Sequence, residues 1–531
     1  IHSTYGDILP GVDTSRVLYT GHSMGGHGAW TLASHDTDRA IGIVVAAGWI
    51  RKEEYGDSNR FFLHDIGHAH VDPGLKSILE SSFSEYNADI FTGNLRSVPV
   101  VIRVGANDRA VPPWYSRKMS RLLREHGVDV IYDEVKDKAH WWWDTGFPND
   151  GGVLNDPKMR QYYSSMIKDG NQQLKSLAKT FTFAATNPAG STGRGGFRIL
   201  QQIFPYRLSE VSVNIGSQTI NVLTSNVKRL RLNLKYLMQG YTISHEENMS
   251  ITFDYHFQLP LARESIDYCK VLSDESETVD ANIATDGTVE ANFDGWEVCR
   301  SSPQIYARLE RAPTTYGPSR QVATSPFEIV VGGKSDRLWT DIAREGGLYI
   351  GNTHYTSTDT MVSIVKDDTY NFGNHSQIKN LILIGGPEEN EVTKRFLAYI
   401  QERALPHPPI TFEEYMTKGQ RPFRVGNCRF TDSGYGVLYT SPLWVGNATN
   451  GRNALVMIIA ATDTSGLRNI LRLAEPTIPP MMRAPFANQV PDYVVVGPGT
   501  KSKGVGGIIS AGYWDNQWNL HFESSYGVDD C

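Results

Sequence analysis

The feature that most constrains this chain is a glycine-rich turn around a serine. Gly21-His22-Ser23-Met24-Gly25 fits the pattern G-x-S-x-G, and it stands between a strand-like run (17–20) and a helix-like segment (28–34). This pattern needs a strand, a sharp turn and a helix, because the turn is strained and the residues around the serine must lack bulk. The sequence therefore predicts a nucleophile at Ser23, with the backbone N–H of Met24 directed at a developing oxyanion.

A serine hydroxyl attacks a carbonyl only with the help of a base, and that base needs an acid to orient it. Asp108 follows the apolar run 98–104, and His140 follows the next strand-like segment, 128–135. The carboxyl ends of parallel strands meet at one edge of a sheet, so we expect Asp108 and His140 to join Ser23 there. The alternatives are a chance serine pattern, a turn-forming aspartate and a surface-loop histidine.

Residues 12–145 resemble the C-terminal half of the catalytic domain of prolyl oligopeptidases (S9-type peptidases), which are α/β-hydrolases. The resemblance rests on the motif from Gly21 to Gly26, on Gly105-Ala106-Asn107-Asp108 and on Ala139-His140, and it covers about a quarter of the chain. It implies a Ser-Asp-His triad that cleaves peptide bonds through an acyl-enzyme. His22 and Met24 also suit lipases and esterases, so a carboxylesterase with the same triad stays open beside the peptidase.

The chain departs from that resemblance at its start. An α/β-hydrolase domain has several strands before the nucleophile turn, whereas 22 residues precede Ser23. We therefore expect a fragment, a truncated gene model or one part of a larger polypeptide, whose remainder supplies the missing N-terminal hydrolase segment. That segment normally contributes the second oxyanion N–H, and losing one such donor costs about 2.7–4 kcal/mol of transition-state stabilisation. The sequence leaves open whether this chain is active alone.

Aromatic residues next to the candidate triad are expected to shape the substrate pocket. His22 precedes the nucleophile, and Trp141 and Trp142 follow the base directly. We predict that these three line a pocket for a peptide or ester substrate, with packing that anchors the histidine loop as the alternative for the tryptophans.

Three nearby histidines raise the question of a metal. His64, His68 and His70 lie close together in the sequence, but Gly67 interrupts the spacing and no acidic partner is obvious. We interpret them as part of a polar loop within a long connection (51–92), which could form a cap over the site. We predict no metal site, and the proposed chemistry needs no metal or organic cofactor.

The remaining chain changes its hydrophobic pattern twice. Residues 229–236 and 250–257 alternate strictly between apolar and polar, which is typical of half-buried strands in an antiparallel sheet. Beyond residue 325, buried-strand runs such as 327–331 and 381–384 return with helical segments between them. The predicted fold class is α/β: a partial α/β-hydrolase (1–178), a β-rich, sandwich-like domain (179–310) and a C-terminal α/β region of unknown role (311–531).

Composition excludes several classes of protein. The net charge is -7 without a Lys/Arg block, which argues against nucleic-acid binding, and the longest apolar run, about eleven residues, is too short to span a membrane. Four cysteines without a CxxC pair argue against a zinc ribbon and allow a single bridge, Cys269 with Cys299. Three glycosylation sequons, at Asn248, Asn374 and Asn447, mildly favour secretion. The alternative to an enzyme is a binding or scaffolding protein with an inactive hydrolase remnant.

Overall fold

The structure is a computed structural model of the chain. It describes residues 13–51, 54–55, 71–173, 179–233, 236–237, 250–260, 266–271, 295–299, 309–370, 379–414, 420–443, 454–473 and 490–528. The chain forms two compact units, of which the first comprises residues 1–55, 85–202 and 208–300, and the second 56–84, 203–207 and 301–531. The described helices are α1 (Met24–His35), α2 (Pro73–Ser81), α3 (Pro113–Glu125), α4 (Gly152–Asn155), α5 (Pro157–Gln173), α6 (Arg337–Thr358), α7 (Glu391–Glu402), α8 (Thr464–Leu471) and α9 (Thr500–Lys503).

The first unit contains a parallel sheet of four strands in the order β1-β2-β3-β4: β1 (Val17–His22), β2 (Ala40–Ala46), β3 (Val100–Gly105) and β4 (Val130–Val135). Both faces of the two central strands are buried, as their continuous apolar runs predict. Trp30 of α1 and Met119 of α3 belong to the core on one face, and Met159 and Met166 of α5 to the core on the other. The architecture is therefore mixed α/β, with the sheet enclosed between helices.

The same unit contains two further sheets, with the orders β11-β10-β8-β7-β5 and β13-β12-β9-β6. Alternating apolar residues of both sheets form a single shared core, as in a sandwich. The bridge that the sequence allowed, between Cys269 and Cys299, is present. The strands are β5 (Thr180–Ala185), β6 (Phe197–Gln201), β7 (Ser209–Ile215), β8 (Thr219–Ser225), β9 (Arg229–Leu232), β10 (Ser250–Phe253), β11 (Phe257–Pro260), β12 (Ile266–Val271) and β13 (Gly295–Val298).

The prediction of one continuous strand over residues 250–257 is wrong. β10 ends at Phe253, and β11 pairs back against it from Phe257. Asp254 and Tyr255 adopt left-handed backbone conformations in the turn between them. The Asp254 carboxylate accepts hydrogen bonds from the backbone N–H of Thr224 and from the Trp296 indole, both at 2.8 Å. These long-range hydrogen bonds stabilise the turn. The local alternation of apolar and polar residues carries no information about them.

The second unit contains a sheet of eight strands in the order β15-β14-β16-β21-β20-β22-β23-β24, of which the first four are parallel and the others antiparallel. A small antiparallel sheet, β17-β18-β19, accompanies it. The strands are β14 (Phe327–Val331), β15 (Ser363–Lys366), β16 (Asn380–Ile384), β17 (Ile410–Phe412), β18 (Phe423–Val425), β19 (Cys428–Phe430), β20 (Gly436–Leu443), β21 (Ala454–Ala461), β22 (Tyr493–Val496), β23 (Ile508–Trp514) and β24 (Leu520–Tyr526).

The compact units do not follow the predicted three-part division, because the parallel sheet and the sandwich share the first unit. The boundaries near residues 178 and 310 therefore stay predictions. Helix α2, from the connection interpreted as a cap, buries Leu75 and Leu79 in the core of the second unit. None of the helices in the described ranges has the length and hydrophobicity that crossing a bilayer requires.

Candidate active site

Ser23 occupies a strained turn between β1 and α1. Its backbone angles, φ 58° and ψ -119°, lie in a region that residues other than glycine rarely adopt. The turn is tied to the next strand, since the backbone N–H of Ser23 donates to the Ala46 carbonyl at 2.9 Å. A Cβ at position 21 would lie 2.0 Å from the Gly25 carbonyl oxygen, so the turn requires glycine at Gly21. Strain of this kind is found at functional sites.

Asp108 and His140 reach Ser23 from the loops after β3 and β4. His140 Nε2 lies 2.9 Å from Ser23 Oγ, and His140 Nδ1 lies 2.6 Å from Asp108 Oδ2. Both acid and base are buried. The second Asp108 oxygen accepts from the backbone N–H groups of Ala110 and Val111, at 2.9 and 2.8 Å. The carboxylate is therefore fixed on one side by the backbone and on the other by the imidazole, which it orients.

The two loops approach each other closely because Gly105 lacks a side chain. A Cβ at position 105 would lie 2.4 Å from the carbonyl oxygens of both Lys138 and Ala139. The backbone N–H of Asn107 donates to the Lys138 carbonyl at 2.8 Å, which joins the aspartate loop to the histidine loop. The distance between Asp108 and His140 is thus set by backbone contacts as well as by their side chains.

Met24 is the first residue of α1 and directly follows the serine. Backbone N–H groups in the first turn of a helix have no acceptor within that helix, so the Met24 N–H is available to an anion beside Ser23. The partial positive charge at a helix N-terminus favours a negative charge at the same place. This geometry suits the predicted oxyanion donor.

His22 directly contacts the loop that carries His140. Its Nε2 lies 2.9 Å from the His140 carbonyl oxygen, and the centroids of the two imidazole rings are 4.6 Å apart. Burial and the neighbouring His140 lower the pKa of His22, so its neutral form is favoured. Because a carbonyl only accepts, the His22 Nε2 carries the proton and donates it. His22 therefore holds the backbone of His140, the candidate base, a contact that its position in the motif does not predict.

The three consecutive tryptophans point in different directions. Trp142 is buried with Ala46 and Val153, and its carbonyl accepts from the Val153 N–H at 2.9 Å, which favours the packing alternative for this residue. Trp141 is exposed, with its ring centroid 4.6 Å from that of His140. Trp143 is also exposed and meets His22 edge-on at 5.8 Å. The residues on either side of Trp142 thus lie beside the candidate triad.

A buried arginine beneath the site was missed by the sequence analysis. Arg103 lies on β3 with its guanidinium 2.7 Å from Asp156 and 3.2 Å from Asp133, and it donates to the Gly152 carbonyl at 3.2 Å. Its guanidinium also lies 5.9 Å from the centroid of the Trp142 ring. The feature that could have indicated its role is a single basic residue within the otherwise apolar run 98–104. Arg103 links the central sheet to the segment that supports the histidine loop.

The predictions for His64, His68 and His70 fall outside the described residues. Within the ranges that the structure describes, no three His, Cys, Asp or Glu side chains are grouped in a way that could hold a metal ion.

The chain is similar in sequence to a secreted protein of Arthroderma benhamiae. The chain is 25% identical over 512 residues to an "Uncharacterized secreted protein" of Arthroderma benhamiae. The match covers 95% of this chain and 47% of the relative, so the chain spans about half the length of the curated relative it matches. A comparison with models of known protein families finds no match.

Comparison with solved structures finds partial likenesses. An uncomplexed acylaminoacyl peptidase of Pyrococcus horikoshii is 19% identical, with a TM-score of 0.22, over 32% of this chain and 26% of that one. A puromycin hydrolase is 18% identical, with a TM-score of 0.22, over 27% and 21% of the two chains. A thermostable esterase is 17% identical, with a TM-score of 0.20, over 32% and 34%.

Proposed function

We propose that this protein is a serine hydrolase in which Ser23 is the nucleophile, His140 the general base and Asp108 the residue that orients the base. The observation that supports this proposal is the continuous hydrogen-bonded chain from Ser23 Oγ through both ring nitrogens of His140 to Asp108 Oδ2, at 2.9 and 2.6 Å. Three polar side chains from three separate loops meet in a mostly buried setting, which is the arrangement that activates a serine hydroxyl.

The reaction follows from the position of each atom. His140 Nε2 takes the hydroxyl proton as Ser23 Oγ attacks the carbonyl carbon, and the Met24 N–H stabilises the oxyanion. His140 then gives the proton to the leaving group, which departs and leaves an acyl-enzyme. Water, deprotonated by the same histidine, attacks the acyl carbon; the bond to Ser23 Oγ then breaks, His140 returns the proton to Oγ, and the acid is released. Asp108 keeps the proton of His140 on Nδ1 and stabilises the imidazolium.

Within this class, we propose a peptidase of the prolyl oligopeptidase type acting on peptide substrates, on the strength of the sequence resemblance. A carboxylesterase is the alternative, because the same groups cleave esters with the same steps. Turnover of peptide amides and matched short esters separates the two, and ester cleavage without amide cleavage would refute the peptidase.

We also propose that another segment of the full-length polypeptide completes the site. Among the described residues, β1 pairs with β2 on one side and has no strand on the other. A strand at that edge would cover its unpaired backbone groups and place a following loop near Ser23, where it can supply a second oxyanion donor. The relative of about twice this length supports the proposal. We expect the longer protein to react 10²–10³-fold faster than this chain, the factor associated with one such donor.

Secretion is the proposed localisation. The fungal relative is described as secreted, and the bridge between Cys269 and Cys299 is the kind of bond that persists in oxidising compartments. Cys428 is disulfide-bonded as well. The three predicted glycosylation sites lie outside the described residues.

A fluorophosphonate probe tests the hydrolase proposal, because it labels only activated serines. Labelling is expected for the wild type and not for Ser23→Ala, with a strong reduction in His140→Ala. Ser34→Ala is the matched control, since Ser34 lies on α1, the helix that follows Ser23, and its hydroxyl donates to the Thr31 carbonyl in its own turn. Failure to label the full-length protein would instead favour a scaffold with an inactive remnant.

A further inference from the structure

Large apolar side chains beside the candidate triad are exposed to solvent. Met24 is 52% exposed, Trp141 66% and Trp143 57%. Tryptophan is highly buried on average, and clusters of exposed apolar side chains mark binding sites. Met24 follows the nucleophile directly and Trp141 follows the base, so this exposure is concentrated where a substrate would be held.

The ring contacts connect both tryptophans to the groups that move protons. Trp141 meets the His140 ring edge-on, with an interplanar angle of 89° and 4.6 Å between centroids. Trp143 contacts His22, which in turn lies 4.6 Å from His140. Both indoles therefore flank the base, one directly and the other through His22.

The backbone between the two rings is anchored, so the points from which their side chains extend are held beside the candidate triad. Trp142 is buried, and its carbonyl accepts from the Val153 N–H at 2.9 Å. Aromatic side chains held in this way bind a flat apolar group with little loss of conformational freedom.

The position of the rings also indicates which part of the substrate they contact. His140 Nε2 must reach the leaving-group atom to protonate it, so the residues adjoining His140 lie on the leaving-group side of the scissile bond. The acyl part lies over Ser23 and the oxyanion donor instead.

We infer that Trp141 and Trp143 form a leaving-group subsite for flat, apolar groups, so that substrates with an aromatic leaving portion are preferred. This inference rests on the proposed function of Ser23, Asp108 and His140. Contacts between aromatic rings are worth a few-fold to about tenfold in binding, which sets the size of the expected preference.

Paired esters test the inference. Ethyl butyrate and 2-phenylethyl butyrate share an acyl group and differ in the leaving alcohol, whereas ethyl 3-phenylpropanoate places the ring on the acyl side. We expect kcat/KM to be roughly tenfold higher for 2-phenylethyl butyrate than for ethyl butyrate. Trp141→Ala should bring this ratio close to one, Trp143→Ala should lower it, and Trp141→Phe should keep most of it. Fluorophosphonate titration of Ser23 in each preparation counts the active sites.

Trp114→Ala is the matched control. Trp114 is also an exposed tryptophan of the first unit, but it stacks on Tyr115 on helix α3, with 3.8 Å between centroids. Its loss should leave the ratio unchanged. An unchanged ratio in both Trp141→Ala and Trp143→Ala would overturn the subsite, as would a preference for the ring on the acyl side. Absence of both ester turnover and fluorophosphonate labelling would overturn the proposed function itself.

Discussion

Replacing Arg103 with methionine tests how the sheet supports the loop of the proposed base. The Arg103 side chain is 3% exposed and interacts with Asp156 at 2.7 Å and with Asp133 at 3.2 Å. Methionine fills similar space without a charge, so Asp156, itself 4% exposed, keeps a negative charge without its cation. Removing one partner of a buried ion pair costs about 3–5 kcal/mol. We expect the free energy of unfolding of the first unit to fall by about that amount.

Arg117→Met is the matched control. Arg117 forms a comparable ion pair with Glu134, but its side chain is 59% exposed. Exposed pairs contribute about 0–1 kcal/mol, because water screens the charges and the long side chains lose entropy. Arg103 lies on β3, and Arg117 lies on α3 with its partner Glu134 on β4, so the two variants compare a buried with an exposed arginine in the same unit.

The assay is urea unfolding followed by hydrogen exchange and mass spectrometry, which separates the two units. Exchange should accelerate in β3 and α5 of Arg103→Met and stay near wild type in the second unit. Ester turnover per folded molecule should also fall, because the Gly152 segment that Arg103 holds is bonded to the Trp142 carbonyl. If Arg103→Met and Arg117→Met lose equal stability, the argument from burial is refuted.

Three further predictions concern stability. Burial lowers the pKa of His27 from 6.5 to about 3, so as the pH falls the unfolded chain takes up this proton before the folded chain does. The free energy of unfolding should therefore fall by about 1.36 kcal/mol per pH unit as the pH drops from about 6 towards 3. In acid unfolding curves, His27→Gln should lessen this fall. The bridge between Cys269 and Cys299 closes a loop of 30 residues, so replacing both with alanine should cost about 3.5 kcal/mol in urea. Asn390→Ala should cost about 2–3 kcal/mol in the second unit, because the buried amide caps α7 and also donates to two carbonyls at 3.1 Å.

Each of these has its own control. A pH dependence that is identical in wild type and His27→Gln would contradict the titration argument. Reduction of the wild-type protein should reproduce the effect of the cysteine pair in the first unit. Asp336→Ala removes an N-cap that accepts one hydrogen bond, from the Trp339 N–H, and should cost about 1 kcal/mol of unfolding free energy. If Asn390→Ala costs no more than Asp336→Ala, the two additional hydrogen bonds of Asn390 do not contribute to stability.

Local pattern was sufficient for the elements that present the candidate triad. The strand-like segments before Ser23, Asp108 and His140 form β1, β3 and β4, and the parallel arrangement brings the loops after them to one edge. Buried runs in the second unit were equally informative, since β14 occupies the predicted run 327–331 and β16 contains the predicted run 381–384. β3 and β16 are buried along their whole length, so a run of apolar residues defines them without reference to any partner.

Pattern failed where distant parts of the chain decide the structure. The 22-residue helix α6 includes Gly346, Gly347 and Gly351, which disfavour a helix. The structure gives a reason for one of them: a Cβ at position 346 would lie 2.6 Å from the Leu471 side chain, so a larger residue there would displace Leu471 of α8. The loss of intrinsic helix stability is offset by a contact that local propensity does not contain.

The sequence by itself determined the identity and the order of the three candidate catalytic residues, because each follows a segment whose local pattern predicts a strand. The tertiary structure alone decided which neighbours support them. It gave His22 a carbonyl partner, placed Arg103 between two carboxylates, and buried Trp142 while exposing Trp141 and Trp143. These outcomes depend on groups far apart along the chain, and hydrophobic periodicity carries no information about which distant group will cover a given side chain.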